Sequence, residues 1–386
     1  MYQEVAILQD KEEDSYFVLG LLNSGVAAKY LEFLSPTINF QREDIVSVPL
    51  PYIPFPQVEI AEIAKQSWEI SLDHWNNNEL SFEFTHEIKE NLLVREWISQ
   101  TFEQRNLIAK SLEINQSRID RILVDAYRLA MNIETEYVAI QSDLTGQLQD
   151  LFSIYVGCLL GRFSLDLPGF VLANQGESLA DYLALVPEPS FMPDDDNVVP
   201  FTEGQWFEDD VVARFYEFLK VAFGEEHFSE NVRFIEETLG KDIRKYFLTD
   251  FYTDHVKRYK TRPIYWMFSS PQGSFNALIY MHRYNSSTVG TVLKYVQEFV
   301  HKLRSQKEVE DRIAVSATNA RDQAQAAKEA AKLQKMIVEV SEWERDVLYP
   351  LAQKQIKIDL DDGVKANYPK FGKALKQIKG LDKNDD

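Results

Sequence analysis

A chain of 386 residues with 45% apolar content is too long for one ordinary core and too apolar for wholesale disorder, so two or three globular domains are expected. The single cysteine, Cys158, excludes an internal disulfide framework and a CxxC zinc site. The longest apolar run is too short to cross a bilayer, and Met1 to Leu8 carries Glu4 and no basic residue, unlike a secretory signal. A cytoplasmic protein with no membrane partner is expected.

The formal net charge of −20 opposes nucleic-acid binding by the chain as a whole. The charge is unevenly spread. Residues 176–240 are strongly acidic, with Asp194, Asp195, Asp196 and Glu208, Asp209, Asp210 against only Arg214, Lys220 and Arg233. Residues 241–262 are basic through Lys241, Arg244, Lys245, Lys257, Arg258, Lys260 and Arg262. The tail from Gly363 to Gly380 carries Lys365, Lys370, Lys373, Lys376 and Lys379 with no acid.

In chain order, Phe17, Leu21, Leu22, Ala28, Leu31 and Leu34 recur at helical spacing and predict one helix over 14–35, stopped by Pro36. A short extended piece (37–40) and a strand over 44–51 follow, and the prolines of 49–56 read as a stiff linker. Helices are predicted over 57–73, over about 95–130 with a break near Asn115, Gln116 and Ser117, and over 143–163. The last is apolar on most sides and therefore buried. Prolines and glycines break up 166–205, where the Asp194 run reads as a solvated loop. Helices over 208–223, 229–239 and 241–261 lead to two strand-like runs within 263–283. Between those runs Ser269, Ser270, Pro271, Gln272 and Gly273 have turn composition, so an aromatic β-hairpin is expected. From Thr288 to about Val347 no proline occurs. Stripes at Leu293, Val296, Val300, Leu303 and at Leu333, Ile337, Val340 predict a helical hairpin or coiled coil. The fold class is mainly α with small β elements.

Several motifs carry little chemistry. The histidines (74, 86, 227, 255, 282 and 301) form no metal-binding pair. The acidic runs could bind Mg²⁺, yet no E-x-K follows Pro193 and Asp194 at nuclease spacing, and solvated acidic loops are the simpler reading. Cys158 lies in an apolar helix and reads as an inert core thiol. Arg162 and Asp166, four apart, read as an ion pair. Gly157 and Gly161 would admit a close backbone neighbour.

Four segments nonetheless point one way. The first holds Leu21-Leu22-Asn23-Ser24, Tyr30 to Thr37, Asn39-Phe40-Gln41 and Val48-Pro49-Leu50-Pro51. The second runs from Tyr155 to Asp166, the third from Arg262 through Tyr265, Trp266 and Phe268 to His282, Arg283 and Tyr284, and the fourth from Asp361 to Gly372. Together they resemble the large adenine-specific DNA methyltransferases of BREX phage-defence systems, the PglX family. The resemblance implies the C-terminal region of such an enzyme. It divides the chain into the end of a target-recognition-like region (1–55), a helical domain (56–175), an acidic then basic and aromatic α+β domain (176–290), the helical hairpin (291–347) and a basic tail (348–386). Adenine-N6 transfer needs an (Asn/Asp)-Pro-Pro-(Tyr/Phe) loop and a Gly-rich cofactor loop. No Pro-Pro pair occurs in the sequence, so no catalytic or cofactor residue is assigned and no metal is expected. S-adenosylmethionine belongs to the catalytic half of the resembled family. The implied partners are double-stranded DNA, an N-terminal methyltransferase half in the same or a separate chain, and other BREX proteins.

The candidate DNA contacts are Lys257, Arg258, Lys260, Arg262, Arg283, Lys365, Lys370 and Lys373. Such side chains suit phosphate, and interleaved aromatics can stack on bases or wedge a groove. Packing of Tyr265, Trp266 and Phe268 inside the hairpin is the competing reading. A protein-interaction scaffold without DNA contact is the rival function, favoured by the net charge and the helical hairpin.

Overall fold

The computed structural model describes residues 12–35, 40–51, 54–85, 88, 92–129 and 144–381. Residues 37–39 of the extended piece expected at 37–40, the stop at Pro36 and His86 lie outside these. The fold is mainly α with one small antiparallel sheet, as the periodicities predict. The chain divides into two units, Met1–Phe84 with Ser99–Ser142, and Thr85–Ile98 with Asp143–Asp386.

In the first unit the single helix expected over 14–35 is two: α1 (Glu12–Leu22) and α2 (Gly25–Leu34), bent by 65°. The Ser24 hydroxyl causes the break. It accepts the Ala27 N–H at 3.0 Å and so starts a new helix in place of continuing the old one. The strand expected at 44–51 begins instead as a helical turn, α3 (Arg42–Val46), because Gln41 and Asp44 form a reciprocal capping box. Two long helices follow, α4 (Gln57–Asn76) and α5 (Val94–Ala126). No break occurs at Asn115, whose amide donates to Ser67 Oγ at 3.1 Å. The core of this unit joins Phe17 and Leu21 of α1, Val26 of α2, Ile60, Ile63 and Ala64 of α4, and Ile119 and Leu123 of α5. Among the described residues no single helix is long and apolar enough to cross a membrane.

The second unit is organised around α6 (Leu144–Leu159), buried from Leu151 to its end. Phe152 stacks on Tyr246 at 4.5 Å between ring centres, and Tyr155 packs on Phe215 and Phe218 while donating its hydroxyl to the Val211 carbonyl at 2.6 Å. Gly157 admits a ring and not a backbone: a Cβ there would lie 2.1 Å from Phe163, which the chain folds back after Gly161 turns through φ +79°. Then come α7 (Leu179–Leu185), β1 (Val199–Phe201), α8 (Val211–Phe223), α9 (Phe228–Leu239) and α10 (Ile243–Tyr246). The helix expected over 241–261 is interrupted by a wide π-turn at Phe247–Phe251 before α11 (Tyr252–Arg258). The expected hairpin is β2 (Tyr265–Ser269) and β3 (Asn276–Tyr280), with Tyr265 opposite Tyr280. β1 adds to its far edge, giving the order β1-β3-β2. The helical hairpin is α12 (Thr288–Ser316) and α13 (Ala320–Trp343), closed by Val296, Phe299, Val300 and Leu303 and by Leu333, Ile337 and Val340. α14 (Tyr349–Lys354) and α15 (Val364–Asn367) lead into the tail.

The Asp194 loop is not simply solvated. Asp194 is buried and accepts the Val198 N–H at 3.1 Å. Burial and the neighbouring Asp196 raise its carboxyl to about 7, while Arg283 opposes the shift. Asp210 is fully buried as well: it caps α8 and holds Arg244 through two 2.8 Å contacts. The sequence shows runs of acid, but the residues that bury these two come from far along the chain.

Candidate nucleic-acid interface

The basic segment takes its shape from the end of α11. His255 sits one turn back, buried, with Nε2 accepting the Tyr265 N–H at 3.2 Å. Burial first, then Arg162 and Arg258, hold its pKa well below the usual value, so it is a neutral structural imidazole. The helix then closes through two successive left-handed residues, Lys260 (φ 50°) and Thr261 (φ 63°). The Thr261 N–H returns to the Val256 carbonyl at 2.9 Å and the Arg262 N–H to Tyr259 at 2.9 Å, a helix-terminating pattern of the Schellman kind. That conformation is normally left to glycine, and a β-branched residue in it is a backbone outlier. The consequence is a tight corner on which Lys257, Lys260 and Arg262 are all exposed.

Arg258 is half-buried and paired with Asp150 at 2.8 Å. Arg283 is buried and donates to the carbonyls of Leu160, Asp194 and Asp195 at 3.3, 2.8 and 3.0 Å. Its donors are consumed inside the protein, and phosphate does not reach it. Arg162 and Asp166 each have other partners. Arg162 donates to the Tyr259 hydroxyl at 2.5 Å and lies over Phe163, while Asp166 accepts the Ser190 N–H at 2.8 Å.

Tyr265, Trp266 and Phe268 are all fully buried, so they pack the hairpin and offer no face to a base. Tyr265 packs on His255 and Tyr280, and the tail covers Trp266 and Phe268. Leu375 bridges to Phe268, and the Lys376 N–H donates to the Met267 carbonyl at 2.8 Å, extending the sheet beyond β2. Trp266 meets Tyr368 and Phe371, each at 5.4 Å between ring centres. Tyr368 also reaches the Tyr252 hydroxyl of α11 at 3.3 Å. The tail is thus bound to both the strand that follows Arg262 and the helix that carries Lys257. Lys365, Lys370 and Lys373 are exposed on it. Lys370 is partly held by Asn367 at 2.7 Å. Lys376 lies 5.7 Å over the Tyr252 ring, half-buried, with its pKa lowered by burial.

The sequence could show which residues are basic but not which are already occupied. Arg258, Arg283 and Arg244 find their partners only through the fold. The left-handed corner at Lys260 and Thr261 leaves no sequence signal, since neither residue is glycine or asparagine. Elsewhere, the carboxylates of Asp194, Asp195 and Asp196 come within 4.8 Å of one another. Asp209 beside them accepts the Tyr295 hydroxyl. The bonds from Val198 to Asp194 and Asp196 make this cluster part of the loop's own framework.

No protein-family model matches the chain. It is similar to the adenine-specific methyltransferase BrxX of Escherichia coli O9:H4 (strain HS), 31% identical over 414 residues, covering 96% of this chain and 33% of that protein. It is also similar to the adenine-specific methyltransferase PglX of Lacticaseibacillus casei (strain Zhang), 32% identical over 385 residues, covering 92% of this chain and 31% of that protein. The chain therefore spans about a third of the length of these curated relatives. Because the likeness runs through both units nearly from end to end, the chain is a BREX PglX-like protein over the third of these relatives that it matches.

Proposed function

We propose that the chain is a non-catalytic part of a site-specific adenine-N6 DNA methyltransferase of a BREX phage-defence system. It holds duplex DNA for a methyltransferase portion that binds S-adenosylmethionine and carries out the transfer. The observation that carries this reading is the combination of near-complete coverage by two adenine-specific methyltransferases with a basic corner that is exposed on an otherwise acidic protein. Lys257, Lys260 and Arg262 supply the phosphate contacts, and Lys365 and Lys373 on the adjoining tail extend them. Arg258 contributes only if its pair with Asp150 opens. The acidic residues elsewhere confine DNA to this face by repulsion.

The test is fluorescence anisotropy of a labelled duplex titrated with the chain at several salt concentrations. The clamp predicts affinity that falls steeply with salt, and a slope reduced by about one unit for each phosphate contact removed in Lys257→Glu, Lys260→Glu and Arg262→Glu. No binding at low salt, or binding indifferent to these substitutions, refutes it. The scaffold reading would then take its place. One observation favours it: Val309, Ile313 and Val315 are exposed toward the far end of the α12–α13 hairpin.

A further inference from the structure

Within the first unit, the described residues leave one face of a helix pair largely uncovered, with only Tyr16 of α1 reaching it, 6.0 Å from Trp68 between ring centres. Ser67 bonds Asn115, Glu59 meets Arg118, and His74 lies within the field of Arg105, so α4 and α5 run antiparallel, side by side. One end of the pair is packed: Ile60 and Ala64 of α4 meet Ile119 and Leu123 of α5 under α1. At the other end no side chain from 65 to 78 on the α4 side, and none from 99 to 114 on α5, is buried. The sequence there is mostly polar, but it carries large aromatics. Trp68 and Trp75 continue the same stripe of α4 as Ile60 and Ala64 at helical spacing, and are 45% and 48% exposed. Phe102 lies at the corresponding end of α5, and Phe82, just past α4, is 97% exposed. Among the described residues every exposed phenylalanine and tryptophan of the molecule belongs to this unit. A helix pair with an apolar stripe needs a third layer, and a cluster of large exposed aromatics marks an interaction surface.

We infer that this face, centred on Trp68 and Trp75, is the seat of the methyltransferase portion of the enzyme. The inference rests on the proposal that the chain is one part of such an enzyme. Two observations select this occupant. The relatives extend for about twice the length of this chain beyond the part it matches, so a large folded body is available to supply the missing layer. Acids also outnumber bases in the unit, which disfavours nucleic acid as the cover. The tryptophans are the anchors, since large aromatics desolvated at the centre of an interface dominate its binding energy.

The experiment mixes the full chain with the methyltransferase portion from the same organism, supplied as a separate polypeptide, and follows association by sedimentation and biolayer interferometry. The expected result is a one-to-one complex whose Kd rises about 30-fold for each of Trp68→Ser and Trp75→Ser. Leu185→Ser, which alters an exposed apolar residue of the second unit, should leave it unchanged. Circular dichroism of the variants should match the parent, because both tryptophans are half-exposed. Equal binding by parent and tryptophan variants overturns the inference, as does the lack of any complex. So does a chain that dimerises alone through these tryptophans, which would make a second copy the occupant. The underlying reading fails separately, if the chain by itself transfers methyl groups to DNA.

Discussion

Arg244→Met should destabilise the second unit more than any surface substitution. Asp210 has no solvent exposure, and Arg244 grips it bidentately with both contacts at 2.8 Å. Arg244 also donates to the carbonyls of Thr202 and Gly204 at 2.9 and 3.2 Å. Its removal leaves a buried carboxylate supported only by the α8 N–H groups of Val212 and Ala213. Breaking a buried pair in this way costs about 3–5 kcal/mol, and the positive end of α8 returns roughly 1 kcal/mol of that. A net loss of about 3 kcal/mol follows. Asp210→Asn in the Arg244→Met background keeps the helix cap and removes the stranded charge, so the double variant should regain about half of the loss, limited by an amide left partly unsatisfied. Urea-dependent hydrogen exchange read on peptides of α8 isolates this unit from the other, as a global unfolding curve for a two-unit chain would not. A loss under about 1 kcal/mol for Arg244→Met, or a double variant no better than the single, would refute the reasoning.

Three further substitutions test other links. Thr261→Gly should raise the stability of the second unit by about 0.5–1 kcal/mol in the same exchange assay, since glycine relieves the left-handed strain at some cost in unfolded-chain entropy; a loss would show that the threonine side chain has a packing role. Asp194→Asn should stabilise by roughly 2 kcal/mol at pH 8 and by almost nothing at pH 4. The folded carboxyl is raised from 3.8 to about 7, so its contribution is intact below the unfolded value and lost as pH rises through 7; equal effects at both pH values would count against the burial argument. His282 is the opposite case. Burial, and then Arg162, lowers it from 6.5 to about 4, so stability is lost as pH falls from 6.5 through 4. His282→Asn should recover about 1 kcal/mol of that acid loss, discounted for partial solvent access, in thermal melts at pH 4.5 and 7; a parallel shift at both would contradict it.

Local order was legible in this sequence wherever one face carries a regular apolar stripe. α6, α8, the β2–β3 hairpin and the α12–α13 pair all follow from periodicity, because burial of that stripe decides their form. The failures lie where a single polar side chain decides. Ser24 splits one expected helix, and the Gln41–Asp44 box converts an expected strand into a helical turn. β1 was not visible because Val199, Pro200 and Phe201 gain their strand character only from β3. The candidate interface was half legible. Lys257, Lys260 and Arg262 are exposed, but the fate of Arg258 and Arg283 depends on Asp150 and on carbonyls remote in sequence. Trp75 lies beyond the helix expected over 57–73, which in fact runs to Asn76, so the face it shares with Trp68 shows only in three dimensions.

The central claim is that this chain positions DNA for a methyltransferase portion and does no transfer itself. The most direct test measures tritiated methyl incorporation from S-adenosylmethionine into duplex DNA by the chain alone, by the methyltransferase portion alone and by the two mixed. The account predicts incorporation at adenine N6 only in the mixture, falling when Lys257, Lys260 and Arg262 are replaced by glutamate. Incorporation by the chain alone, or full site-specific activity of the methyltransferase portion without it, would contradict the account.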